Sequence, residues 1–296
     1  MRIKRFRSTW GVDPGQNLDH WAKWFPELQK KGYSGVEVKV LLLHPEMDFK
    51  RLRQICDQLG FEIAVIAQTS LPSILGPRPS RLNADNHLQR YREIISLVNP
   101  LNPAAITFQS GQDDWDIKES IKYFQRTIDI DEELGVSERV YHETHRSRSL
   151  CAPWVTQCIL QAVPRLRLTA DFSHWVVVSE RLLDSADDDR AMVEAIIPHV
   201  YHIHTRIGTT QASQCPEPMH PSFEQERLSF ERLWKSILSN HFKRHGHDAT
   251  ITFVPEYGPF PYQPIGSPKA YGEVADEEGQ RLQALFDEFA ATLVAT

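Results

Sequence analysis

Four stretches in the second half of the chain end in side chains that can hold a metal ion or move a proton. VYHETHR supplies Glu143 with His142, His145 and Arg146 beside it. LTADFSHW supplies Asp171 and His174, VYHIHTRIG supplies His202, His204 and Arg206, and ITFVPEYGP supplies Glu256. Three carboxylates and one imidazole brought together repel or desolvate one another unless a cation compensates them. Mostly oxygen ligands with one nitrogen suit Mn²⁺ best, then Mg²⁺ or Co²⁺, with Zn²⁺ also able to bind. Along a strand, alternation puts His202, His204 and Arg206 on one side, and only one of the two histidines need be a ligand.

Such a set converges only if its carriers are neighbouring strands. Helix-period and β-like segments alternate almost throughout. Strands are expected at 4–11, 33–40, 61–69, 104–111, 137–146, 165–175, 200–208 and 249–258, and helices between and after them. The first helix carries Trp21, Trp24, Phe25 and Leu28 on one face, a packing stripe, and Gly32 ends it as a C-terminal cap would. Repeated βα units of about 30 residues imply a parallel sheet. Eight of them, without a glycine-rich phosphate loop after the first strand, predict an α/β fold of the closed (β/α)₈ TIM-barrel type, a single domain over 1–296. Each of the four stretches then ends on the C-terminal rim, where barrel active sites form. Two Pro-rich, non-periodic segments, 209–227 and 259–275, follow the last two strands onto the same rim.

The bulk properties narrow the partners. The chain has 296 residues, 33 basic and 39 acidic, for a net charge of −6. That disfavours broad electrostatic binding to nucleic acid. No apolar run reaches the roughly 18 residues of a membrane span. The start MRIKRFRSTWGV is basic without an apolar signal region, and Cys56, Cys151, Cys158 and Cys215 form no CxxC pair, so reduced thiols and a cytoplasmic location are expected. Cys151 reads as a structural thiol before a reactive one.

The ordered set resembles the xylose-isomerase-like barrel superfamily, the group of sugar phosphate isomerases and epimerases. Its members share a Glu ending strand 5, a D-x-x-H after strand 6, a His ending strand 7 and a Glu ending strand 8. The resemblance spans nearly the whole chain and is strongest from 137 to 260. It implies that Glu143, Asp171, His204 and Glu256 hold one divalent metal. It implies that Glu143 and Glu256 exchange a proton with a substrate carbon while the metal stabilises an enediolate. His174 would then bind a substrate oxygen, and Arg206 would polarise a carbonyl or hold a carboxylate or phosphate. GVE at 35–37 resembles the family's second strand, so Glu37 is expected to line the site. The multi-metal endonuclease members carry histidines after strands 3 and 4, where this chain has Gln68 and Gln109, which argues for one metal and a small-molecule, carbohydrate-like substrate.

Blander readings stand beside these. The four residues could be unrelated rim polar groups. His202 and His142 read as packed imidazoles, and His145 is the better candidate for touching substrate. Arg146 and Arg148 could form an anion site or a solvated face. Trp10 could pack on a sugar face or be a rim aromatic. His245 and His247 precede strand 8 and fall on the opposite face. The reading is a metal-dependent sugar, sugar-acid or polyol isomerase or epimerase. A lyase or dehydratase on a related substrate is the alternative, and a non-catalytic binding protein on the same fold is a third. The long rim segments could complete a neighbour's site in a homodimer.

Overall fold

The computed structural model describes residues 1–12, 17–40, 47–70 and 82–295. Eight strands form a closed, parallel barrel in sequence order. They are β1 (Arg2–Ser8), β2 (Gly35–Val40), β3 (Glu62–Gln68), β4 (Ala105–Gln109), β5 (Val140–Glu143), β6 (Leu168–Ala170), β7 (Val200–His204) and β8 (Thr250–Val254). Closure comes from β1 against β8, in the register Arg2↔Thr250 through Arg5↔Phe253.

The outer layer consists of α1 (Leu18–Lys30), α2 (Phe49–Leu59), α3 (Ala84–Val98), α4 (Ile117–Glu133), α5 (Pro153–Ala162), α6 (Phe172–Ser179), α7 (Asp187–Ile196), α8 (Glu224–His245) and α9 (Tyr271–Ala295). Their limits follow ordinary capping chemistry. Asn17 accepts from the Asp19 and His20 amides to start α1, Asp48 and Asp116 start α2 and α4 the same way, and Gly60 ends α2 in the left-handed region at φ 65°. The α1 stripe packs as its spacing requires, with Trp21, Phe25 and Leu28 fully buried. Apolar side chains fill two shells between barrel and helices, one around β2–β4 and one around β6–β8. Among the described residues no helix is long and apolar enough to cross a membrane.

Several boundaries differ from the sequence expectation, each for a local reason. The expected strand 165–175 is the three-residue β6 followed by α6, because Asp171 caps the backbone amide of Ser173 and turns an apolar run into a helix. The expected strand 137–146 pairs only over Val140–Glu143, since His145 N donates back to the Glu143 carbonyl at 2.9 Å and Ser147 takes a positive φ of 62°. β7 and β8 stop at His204 and Val254, so Arg206 and Glu256 stand two residues beyond the ladder, on the rim. The non-periodic segments 209–227 and 259–275 are shorter than expected: α8 begins at Glu224 after a 3₁₀ turn over Pro221–Phe223, and α9 begins at Tyr271. The remaining loops are tied together by Gln214, which donates to the Gly258 carbonyl and to Gln263 and accepts from the Gly258 amide.

The barrel interior is layered. A small apolar cluster of Phe6, Ala64, Ala105, Tyr141 and Val254 occupies part of it. The polar groups inside pair with one another: Thr107 and Thr169 share a hydrogen bond at 2.8 Å, and His202 Nδ1 meets Thr252 Oγ1 at 2.5 Å. A buried hydroxyl or imidazole without such a partner would cost free energy, so this pairing is what lets the barrel carry polar groups toward its rim.

Candidate metal centre and the cavity above it

Glu143, Asp171, His204 and Glu256 each offer a ligand atom, and these atoms lie within 4.8 Å of one another. The four come from the ends of β5 to β8. The ends of β5 and β6 are locked by Thr144, whose hydroxyl donates to the Asp171 carbonyl at 2.9 Å and accepts from the Asp171 amide at 2.8 Å. Asp171 is itself oriented, with Oδ1 accepting from the amide (3.0 Å) and hydroxyl (2.5 Å) of Ser173. Thr205 N donates to the Val254 carbonyl, which fixes His204 beside the end of β8.

His204 is the hinge of the cluster. Its Nε2 donates to Glu37 Oε2 at 3.0 Å, while its Nδ1 faces Glu143 Oε1 at 3.3 Å and Glu256 Oε2 at 3.5 Å. Glu37, expected to line the site, lies beneath it: the carboxylate is fully buried and also meets His202 Nε2 at 3.4 Å. A carboxylate behind a ligating imidazole fixes its ring and tautomer and raises its basicity. Glu37, His202 and His204 make a second metal-capable cluster. It has three ligand atoms already joined by hydrogen bonds and no residue on the cavity wall, so the four-residue cluster is the better metal position.

The electrostatics call for positive charge at the centre. Burial works to lower the His204 pKa, but the charges of Glu37 and Glu256 and the bonds to Glu143 and Glu256 outweigh it and hold the ring well above its ordinary value. Burial pushes Asp171 up to about 6, against the pull of Arg206. Burial opposes ionisation of Glu37 too, yet the two histidines bring it down to about 2. Glu143 Oε2 is buried without a hydrogen-bond partner among the described residues. A donor set of three carboxylates and one imidazole, with an orphaned carboxylate oxygen, fits a divalent cation, which would take the place of the proton on Nδ1.

Above the cluster lies a cavity of about 180 Å³. Glu256, His174, His145, Arg206 and Trp10, all expected at the site, border it; Glu143, Asp171 and His204 lie under its floor. Arg206 spans the floor, with Nη2 donating to Asp171 at 2.6 Å and to His174 Nε2 at 2.8 Å, Nε donating to Ser173 at 3.1 Å, and Nη1 3.6 Å from Glu256. Burial lowers the pKa of His174 and of His145, whose rings lie 3.9 Å apart, so both are neutral donors or acceptors. Trp10 stands edge-on to Tyr262 at 5.0 Å, and a Cβ on Gly258 would sit 2.1 Å from the Trp10 ring, so only glycine fits there.

Other expectations find their places. His142 points away from the cavity, its Nδ1 bonded to Ser110 at 2.7 Å among Tyr91, Phe108 and Phe124. His245 ends α8 and His247 follows it before β8, at the opposite end of that strand from Glu256. All four cysteines are free, and burial raises the Cys151 pKa, which makes it a poor nucleophile. Gln68 and Gln109 end β3 and β4 side by side and border the cavity. Sequence reasoning missed Lys39 and Tyr262 as wall residues. Alternation along β2 puts Lys39 on the same side as Glu37 and was a usable signal; Tyr262 in a non-periodic loop carried none.

No protein-family model matches the chain, and no curated protein sequence does. Solved structures do. The barrel is similar to a sugar phosphate isomerase/epimerase from Parabacteroides distasonis, with a TM-score of 0.60 at 11% identity over 96% of this chain and 98% of that one. It is similar to the probable 3-DHS dehydratase AsbF from Bacillus anthracis, with a TM-score of 0.58 at 14% identity over 96% and 99%. It is also similar to an IOLI protein with a bound zinc atom, with a TM-score of 0.58 at 12% identity over 100% and 98%. What these likenesses show is a shared fold, the closed (β/α)₈ TIM barrel.

Glu37 has a measurable role if His204 ligates through Nδ1. Glu37→Gln is expected to weaken divalent-cation binding by about 10–100-fold. Titration of Mn²⁺ or Zn²⁺ into chelator-stripped protein measures this, and unchanged affinity would remove Glu37 from that position behind the ligand.

Proposed function

We propose that this protein is a divalent-metal-dependent isomerase or epimerase acting on a small sugar, sugar acid or polyol. The observation that carries the reading is the convergence of Glu143, Asp171, His204 and Glu256 within 4.8 Å below a small cavity. When bound there, a divalent ion supplies a Lewis acid that polarises a carbonyl and stabilises negative charge on oxygen. The chain's own groups do the rest. Glu256 borders the cavity and takes the proton from a hydroxyl-bearing carbon next to the carbonyl; returning it to the neighbouring carbon gives isomerisation, and epimerisation at the same carbon needs Glu143 to supply a proton from the opposite face. Glu143 lies behind it as the second carboxylate. Arg206 keeps Asp171 ionised despite burial, and His174 accepts from Arg206 while presenting its ring to the substrate.

A second reading has support from the similarity to the dehydratase: the same proton abstraction followed by loss of a hydroxyl on the next carbon. In that reading His174, which borders the cavity and whose Nδ1 is buried without a partner among the described residues, would assist that departure. Incubating the protein with a panel of sugars and sugar acids in D₂O separates the two. A product of unchanged composition carrying one solvent deuterium supports isomerisation, and loss of water supports the dehydratase. Absence of deuterium from every substrate and product would remove the proton-transfer reading altogether.

A further inference from the structure

A second cavity, of about 410 Å³, opens at the other end of the barrel. It lies beside the turns that lead into β5, β6 and β7, with Arg244 from the last turn of α8 at its edge. That end of a (β/α)₈ barrel ordinarily serves stability alone, with its polar groups paired. Two features depart from this.

The first is on the inner wall, where His142 and Asp131 are 1% and 3% exposed. Asp131 Oδ1 accepts from the Tyr91 hydroxyl at 2.6 Å, and burial pushes its carboxyl up to about 7. His142 Nδ1 meets the hydroxyl of Ser110, just past the C-terminal end of β4, at 2.7 Å. Its Nε2 is buried with no partner among the described residues. The two nitrogens of an imidazole point away from each other, so Nε2 faces away from Ser110. A buried ring nitrogen left without a partner costs free energy until a polar group reaches it.

The second is at the mouth, where Arg165, Arg167 and Arg244 stand against Glu138. Arg165 pairs with Glu132 and Arg167 with Glu138. Arg244 has only neutral partners among the described residues: it donates to the Tyr201 hydroxyl at 3.1 Å and to the Val200 carbonyl at 3.4 Å. The guanidinium groups of Arg167 and Arg244 both rest on the Tyr201 ring, 4.6 and 4.9 Å from its centre, which gathers two like charges at one aromatic. Burial first, then Arg244 and Arg167, lowers the His245 pKa, and burial and Arg244 lower that of His199. The field at this mouth is therefore positive. An anion would offset it, and a guanidinium matches the paired oxygens of a carboxylate or phosphate.

We propose that this cavity is a second ligand site, taking a small molecule whose carboxylate or phosphate is held by Arg244 and Arg167 and whose neutral polar end hydrogen-bonds to His142 Nε2. Its volume falls in the range of small-molecule sites, about 300–1,000 Å³. It is separate from the metal cluster: the cavity borders β5 at its first residue, Val140, and Glu143 ends that strand. Binding here is thus independent of the chemistry proposed for the other end.

Calorimetric titration of the full chain with inorganic phosphate, glycerol 3-phosphate and glycerate, in the presence of chelator, tests this. At least one of the three is expected to saturate a single site per chain. Arg244→Met is expected to weaken that binding by about 10–100-fold, the value of a lost charge-assisted hydrogen bond. Arg244 is exposed, so this variant keeps its fold, and Arg244→Lys should retain part of the affinity. Arg146→Met, on the wall of the other cavity, should leave it unchanged. His142→Phe should weaken glycerol 3-phosphate by about fivefold or more and spare inorganic phosphate, which has no neutral polar end. Tighter binding of glycerol 3-phosphate than of glycerate assigns a phosphoester ligand, and the reverse a carboxylate. No saturable binding of any of the three, full affinity in Arg244→Met, or binding lost in Arg146→Met instead would overturn the site. Glycerol 3-phosphate held equally well by His142→Phe would overturn the contact given to Nε2.

Discussion

Glu256→Gln is expected to lower turnover by about 10²–10⁴-fold, the usual contribution of a positioned acid–base group, while the barrel stays folded. Glu256 is the one carboxylate of the cluster that borders the cavity, so a proton leaving the substrate has a direct path to it. Glutamine keeps the size and one oxygen but cannot carry the proton. The substitution leaves Arg206 paired with Asp171 at 2.6 Å, which limits the structural damage. The readout is deuterium incorporation from D₂O into whichever sugar or sugar acid the native protein labels. Native-like exchange in the variant, with circular dichroism unchanged, would exclude Glu256 as the base.

Protein purified without chelator or affinity metal is expected to carry about one divalent ion per chain, the stoichiometry of a mononuclear catalytic site. Glu143→Gln and Asp171→Asn are each expected to bring that content close to zero. Both side chains are buried, at 1% and 0% exposure, so neither can be replaced by a neighbouring surface carboxylate. Elemental mass spectrometry reads the result directly. The two variants differ in a useful way. Glu143→Gln alters a group whose Oε2 has no partner among the described residues, and it should fold well. Asp171→Asn weakens the partner of a buried guanidinium, where losing a partner costs about 3–5 kcal/mol, so a lowered melting temperature should accompany the metal loss. Protein that holds no metal and takes up none on addition would mean that the four residues serve only as a buried charge network, and the metal-dependent reading would fall.

The amino-acid sequence by itself determined the barrel and the membership of its rim. Strand and helix periods alternate eight times, and in a closed parallel barrel every strand ends on one face, so Glu143, Asp171, His204 and Glu256 had to share a rim once the strands were placed. It also carried the side of each residue: alternation in VYHIHTR put His202, His204 and Arg206 together, as the fold does. It did not carry the strand ends, because Asp171 reads as part of an apolar strand until its side chain is seen capping Ser173 and starting α6. Nor did it carry depth. A period of two tells which way a side chain points, while its height in the barrel depends on strand stagger, which sequence spacing does not encode. That is why Glu37 was expected against substrate and lies instead behind His204, and why Lys39, one alternation further along the same strand, reaches the cavity wall. The meeting of Tyr262 with Arg146, Arg206 and Trp10 likewise belongs to the tertiary structure alone, since a non-periodic loop takes its path from what it packs against.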